Sequence, residues 1–145
     1  MAIKKGVPIL VVEDDEVDVG DILRAFKKNR ITNPIYVASN GEEALAFLRH
    51  EGPYSDREDK MLPGIILLDI NMPVMNGIEF LRIIKADNEF KKIPVIVLTT
   101  SKEDNDRVES FKLSVAGYII KPVDFEKFVE AVKTFELYWT LSEML

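Results

Sequence analysis

The chain has 145 residues, room for one ordinary domain and little more, and its 47% hydrophobic content argues against wholesale disorder. A balance of 19 basic against 25 acidic residues gives a formal charge of −6, the wrong sign for a surface that grips nucleic acid directly. The lack of cysteine excludes disulfides, thiolate zinc sites and thiol nucleophiles, and no apolar run is long enough to span a membrane or form a secretory signal, so a soluble cytoplasmic protein is expected.

Short apolar runs alternate with stretches of helical periodicity. Val7–Val12 reads as a first strand, and Val19, Ile22, Leu23 and Phe26 mark the stripe of the helix after it. Ile35–Ala38 is a second strand. Asn40-Gly41 before Glu42-Glu43 is a helix-start signal, with Ala44, Leu45 and Leu48 as its apolar face. His50, the sole histidine, ends that helix, where a positive group is favourable. Glu51–Pro63 is polar and turn-rich and reads as an exposed loop. Ile65–Leu68 is a third strand, followed by a helix on Ile78, Leu81 and Ile84. After a fourth strand, Val95–Leu98, comes a weakly packed helix over Glu103–Leu113, anchored by Val108 and Phe111. A brief fifth strand, Tyr118–Ile120, leads to Asp124 as a cap and to a helix on Phe125, Phe128, Val129, Val132 and Phe135.

Continuous Val, Ile and Leu runs suit strands buried on both faces, and alternation with helices implies right-handed crossovers. The predicted fold is therefore α/β: a five-stranded parallel sheet in a flavodoxin-like three-layer (βα)5 sandwich. Residues 1–145 form one domain, with 136–145 as a C-terminal aromatic extension.

In open parallel sheets, ligands bind at the carboxyl ends of the strands. The first strand ends in Glu13-Asp14-Asp15, the third in Asp69, then Ile70-Asn71-Met72-Pro73, the fourth in Thr99-Thr100-Ser101, and the fifth in Lys121-Pro122. Carboxylates crowded together repel, and a hard divalent cation removes the conflict. Asp14 and Asp69 can bind magnesium directly, Glu13 through water, and Asn71 by its backbone carbonyl; manganese is an alternative ion. Lys121 suits a phosphate oxygen, and Thr99 offers a hydroxyl opposite. A carboxylate nucleophile beside cations points to phosphoryl transfer.

The strings LVVEDD, LLDINMP, VIVLTTS and GYIIKP resemble, in order, the signature segments of response-regulator receiver domains of two-component signalling. Asp69 and Thr99 lie 30 positions apart, and Thr99 and Lys121 22, both typical of that family. The resemblance covers roughly Gly6 to Phe135. It implies that Asp69 is the phosphoacceptor, that Glu13 and Asp14 are the acidic pair, and that Asp15 falls just outside the metal shell. It further implies that Thr99 is the switch hydroxyl, Tyr118 the aromatic that follows it, and Lys121 the phosphate-binding lysine before a cis proline. Asn71 and Ser101 match the positions that tune loss of the phosphoryl group, although Ser101 is smaller than the side chains common there. The long Glu51–Pro63 loop and the aromatic tail resemble the small stand-alone receivers that partner bacterial phytochromes. The implied phosphoryl donor is thus a sensor histidine kinase, with a bacterial phytochrome as the nearest kind. A chain that ends without a DNA-binding module would pass its signal through a partner, a dimer or a phosphorelay.

Each residue alone has a plainer reading: solvated acids for Glu13-Asp14, a turn residue for Asp69, a cap for Thr99, a surface lysine for Lys121. Their joint occurrence at four strand ends outweighs those. A magnesium-dependent aspartyl-phosphate phosphatase or phosphotransferase would want an acid where Asn71 stands, and intact site residues argue against a pseudo-receiver that only binds proteins. The domain is accordingly expected to catalyse nothing beyond its own phosphorylation and dephosphorylation. Phe135, Leu137, Tyr138, Trp139 and Leu141 spread over more than one helical face. They either fold back on their own domain or, the favoured reading, join the fourth helix, fifth strand and fifth helix in a homodimer.

Overall fold

A computed structural model of the protein describes residues 7–57, 61–100, 102–110, 112–128 and 130. Strands β1 (Ile9–Val12), β2 (Ile35–Ala38), β3 (Ile65–Asp69), β4 (Val95–Thr99) and β5 (Gly117–Ile120) form one sheet in the order β2-β1-β3-β4-β5, with every neighbouring pair parallel. Between them run α1 (Glu16–Lys28), α2 (Gly41–Arg49), α3 (Gly77–Lys85) and α4 (Lys102–Ser110), and residues 125–128 are again helical. The expected open α/β sandwich is thus the observed one. Phe111, Ser101, Val129, Val132, Phe135 and the extension 136–145 lie outside the described residues.

Strand boundaries move for a physical reason. An apolar run stops at its first polar residue, but backbone pairing does not. The β3–β4 ladder continues through Asp69, opposite Leu98, and the β4–β5 ladder through Thr99, opposite Ile120. Two site candidates therefore sit on the sheet itself, where φ and ψ are fixed by neighbours on the ladder.

Alternate strand residues build two cores. Leu10, Val12, Ile66, Leu68, Val95 and Val97 face one layer, against Leu45, Phe47 and Leu48 of α2, Phe80, Leu81 and Ile84 of α3, and Val108 of α4. Ile9, Val11, Ile65, Leu67, Ile96 and Leu98 face the other, against Ile22 and Phe26 of α1 and Phe128. Phe26 and Phe128 meet edge to face with ring centroids 4.8 Å apart. Each such fully buried side chain contributes roughly 1.5–3 kcal/mol, so the sheet is held rigidly from both sides. After β1 the chain steps out to β2 and then returns to β1's other edge as β3. Such reversals open a crevice at the carboxyl ends of the flanking strands, here those of β1 and β3.

Most described residues of Glu51–Pro63 are exposed, as expected, but part of the stretch docks on the domain. Gly52–Tyr54 makes a turn of 3-10 helix, Tyr54 and Leu62 are half-buried, and Pro63 is buried. The Arg57 guanidinium lies 3.9 Å from the Phe47 ring centroid and 5.2 Å from that of Tyr36. Polar composition hid this docking because an arginine can lay its planar head on aromatic faces. His50 ends α2, the place expected of it. It takes the left-handed conformation (φ 55°) at the end of α2, and its Nδ1 lies 3.2 Å from Arg57 Nη2.

Candidate functional site

The carboxyl end of β1 hands on directly to the site. Glu13 N donates to Ala38 O at 2.9 Å, continuing the ladder beyond Val12, and the Glu13 side chain turns inward and is wholly buried. Asp14, next along, points to the exposed side. Asp15 caps α1: its Oδ1 accepts from Val17 N at 2.8 Å and Asp18 N at 3.1 Å. Committed to the helix end, Asp15 is occupied elsewhere than among the site carboxylates.

Asp69, buried at the end of β3, faces the β1 acids. Glu13, Asp14 and Asp69 each bring one carboxylate oxygen to within 4.8 Å of the others. Asn71 N lies 3.4 Å from Asp69 Oδ1, and the Arg107 Nη1 of α4 lies 3.4 Å from Asn71 Oδ1. From β5, Lys121 reaches into the same group across a cis Lys121–Pro122 bond, its own N anchored on Thr99 O at 2.8 Å. Its Nζ lies 2.7 Å from Glu13 Oε2, 2.8 Å from Asp18 Oδ2 and 3.4 Å from Asp69 Oδ1. These groups line an open cleft of about 630 Å³ together with Thr100.

The charges press on one another. Burial raises the Glu13 carboxyl to about 7, and the Asp69 charge adds to this while the Lys121 bond opposes it. Burial raises Asp69 too, against the Lys121 charge. Burial alone would lower Lys121, but hydrogen bonds to Asp18 and Glu13 and the Asp69 charge outweigh it and hold the ammonium above its ordinary range. Glu13 Oε2 is buried against the Lys121 ammonium, 2.7 Å away. The all-oxygen donor set of Glu13, Asp14 and Asp69 fits a hard divalent ion, magnesium or manganese, better than a soft one.

Among the other expected residues, Thr99 is fully buried at the end of β4, and the cleft lining includes Thr100 rather than Thr99. Tyr118, opposite Val97 on β5, is half-buried against the α2/α3 core, its hydroxyl raised by burial and by Glu109. Ser101 lies outside the described residues. Asp18 is the residue the sequence reading missed. Counting from the cap at Asp15 would have put it in the first turn of α1, over the strand ends.

Comparison with known proteins agrees with this geometry. Residues 9–133 match the response regulator receiver domain. The response regulator Rcp1 of Synechocystis sp. is 35% identical over 131 residues, 90% of this chain and 87% of that protein. A probable methanogenesis regulatory protein, FilR2 of Methanothrix harundinacea, is 38% identical over 132 residues, covering 90% and 82%. Among solved structures, the bacteriophytochrome response regulator RtBRR superposes with a TM-score of 0.82 at 39% identity, over 88% of this chain and 76% of that one. The Mn(2+)-bound form of response regulator Rcp1 superposes with a TM-score of 0.71 at 34% identity, over 92% and 94%.

Proposed function

The chain belongs to the response regulator receiver domains, and from that premise we propose that Asp69 accepts a phosphoryl group from the phosphohistidine of a sensor histidine kinase. The observation that carries this is the convergence of the Glu13, Asp14 and Asp69 oxygens within 4.8 Å, with Lys121 Nζ 3.4 Å from Asp69. An Asp69 carboxylate oxygen bonds to phosphorus as the phosphorus–nitrogen bond breaks, and the electron pair returns to the donor imidazole. The product is an acyl phosphate on Asp69, which water later cleaves.

Glu13, Asp14, Asp69 and the Asn71 carbonyl would hold magnesium, or manganese as in the Rcp1 structure. When bound, such an ion neutralises charge on the transferring group and lets the neighbouring carboxylates stay ionised. Lys121 balances the phosphoryl oxygens from the β5 side. Thr99 and Tyr118 respond to the new charge and remodel the α4–β5 face, while Asn71 and Ser101 set how fast the phosphoryl group is lost. The chain is in this reading a signalling protein that catalyses only its own phosphorylation and dephosphorylation, in the cytoplasm where kinases meet ATP.

Similarity to RtBRR, a bacteriophytochrome response regulator, supports a bacterial phytochrome as the kinase. FilR2, at 38% identity, marks another signalling setting, so transfer from candidate kinases must decide the input. Homodimerisation through α4, β5, the last helix and the 136–145 extension rests on the apolar tail sequence alone. Light scattering on the full chain and on one ending at Phe135 tests it; a monomeric mass for both removes the dimer.

Mass spectrometry after incubation with magnesium and acetyl phosphate tests the main reading. A single phosphoryl adduct is expected, absent after chelation and absent from Asp69→Asn. Undiminished labelling of Asp69→Asn would move the acceptor elsewhere.

A further inference from the structure

Lys121 has two masters. The phosphoacceptor reading requires its ammonium at the phosphoryl oxygens on Asp69, yet its hydrogen-bonding partner from α1 is Asp18, at 2.8 Å, while Asp69 is 3.4 Å away. Asp18 is placed for this by the Asp15 cap, which fixes the first turn of α1, and it lines the cleft itself. The contact joins residues 103 positions apart, and the ammonium is largely buried. A charge-assisted bond of that kind is among the stronger polar contacts.

We propose that Asp18 is a positioning residue, a latch on α1 that holds Lys121 in the resting state and competes with the phosphoryl group for it. The inference rests on the phosphoacceptor reading above. To pair with a phosphoryl group on Asp69, Lys121 must loosen its bond to Asp18. The arriving group then leaves the Asp18 carboxylate uncompensated at the same cleft. Both effects favour the unphosphorylated state, so Asp18 sets how readily the site is charged without touching phosphorus. Lys121 is not left free when Asp18 is neutralised, because Glu13 still lies 2.7 Å from its nitrogen.

The test is a double-mutant cycle on Asp18→Asn and Lys121→Ala, with calorimetric affinity for beryllium fluoride, a phosphoryl mimic, measured in saturating magnesium. Asp18→Asn is expected to tighten binding about tenfold, the scale of one hydrogen bond to a charged group. The gain should shrink to well under half of that in the Lys121→Ala background, and Asp18→Glu should restore wild-type affinity. An equal gain in both backgrounds means Asp18 acts only as a remote charge, and no gain means there is no latch; either overturns the proposal. Phosphoryl labelling of the wild-type chain by acetyl phosphate is run beside it. Its failure would sink the phosphoacceptor reading itself, whereas labelling with a flat cycle would sink only the latch.

Discussion

At the scale of single residues, the loop after Asp69 carries two opposite kinds of backbone demand. Val74 sits at φ 67° with its side chain 72% exposed. A β-branched residue in the left-handed region is strained by roughly 1–2 kcal/mol, and burial returns nothing at this exposed position. Asparagine tolerates that conformation, so Val74→Asn should stabilise the protein by about 0.5–1 kcal/mol. The check is a higher urea midpoint at unchanged slope. Gly77 makes the converse demand. Its N donates to Ile70 O at 3.0 Å, and a Cβ there would meet the Asp69 carbonyl oxygen and lie 2.8 Å from Ile70 Cα. Gly77→Ala must push the start of α3 off the strand end that bears Asp69. A loss of about 2 kcal/mol is expected from such overpacking, with slower labelling of Asp69 by acetyl phosphate. Unchanged stability and labelling would show that the close approach is not needed. Neither residue was singled out in the sequence, since a backbone clash and a positive φ leave no periodic trace. Glu13, Asp14, Asp69 and Lys121 were legible because each is a polar residue ending an apolar run.

At the scale of elements, the strands were the most readable parts and the α2 surroundings the least. β2 was read to the residue although it is an edge strand paired only with β1, because its apolar run is bounded by Pro34 and Ser39. Phe47 escaped the expected stripe of Ala44, Leu45 and Leu48, yet it is wholly buried. A single-faced helix leaves that position to solvent; here a second surface covers it, made by Tyr36, Tyr54 and Arg57. The ring of Tyr54 stands edge-on to Phe47 with centroids 5.3 Å apart. Arg57 closes the stack, and its Nη2 donates to Met61 O at 3.2 Å. Arg57→Ala should therefore destabilise the protein by about 1–2 kcal/mol through lost cation–π contact and lost packing. Arg57→Lys should recover only part, since an ammonium cannot lie flat on two rings. Denaturation midpoints in the order wild type, Arg57→Lys, Arg57→Ala are expected. Equal midpoints would mean the loop's docking adds nothing.

For the molecule as a whole, the reversal of strand order between β1 and β3 puts the most costly charges at the centre of the most rigid part. A sheet packed on both faces cannot open to hydrate Glu13, so the metal-free fold carries the cost of a buried carboxylate as lost stability. The sign follows from linkage. Glu13 is raised from 4.5 to about 7 on folding, mainly by burial, so between those values the folded state holds more proton than the unfolded one. The stability this group contributes is fully present below about 4.5 and is lost as pH rises through about 7. Glu13→Gln removes the ionisation and leaves Lys121 still paired with Asp18. In chelator, the variant should therefore unfold at a higher temperature than wild type at pH 8, with the gap closing toward pH 4. Magnesium should reverse the order at pH 8. An ion bound only by the folded state stabilises by about 2.7 kcal/mol at a hundredfold excess over its Kd, and the variant lacks one of the carboxylates that would hold it. A wild-type melting temperature that rises across pH 4 to 8 relative to Glu13→Gln in chelator would contradict the burial argument. A magnesium response of equal size in both proteins would remove Glu13 from the ion's surroundings.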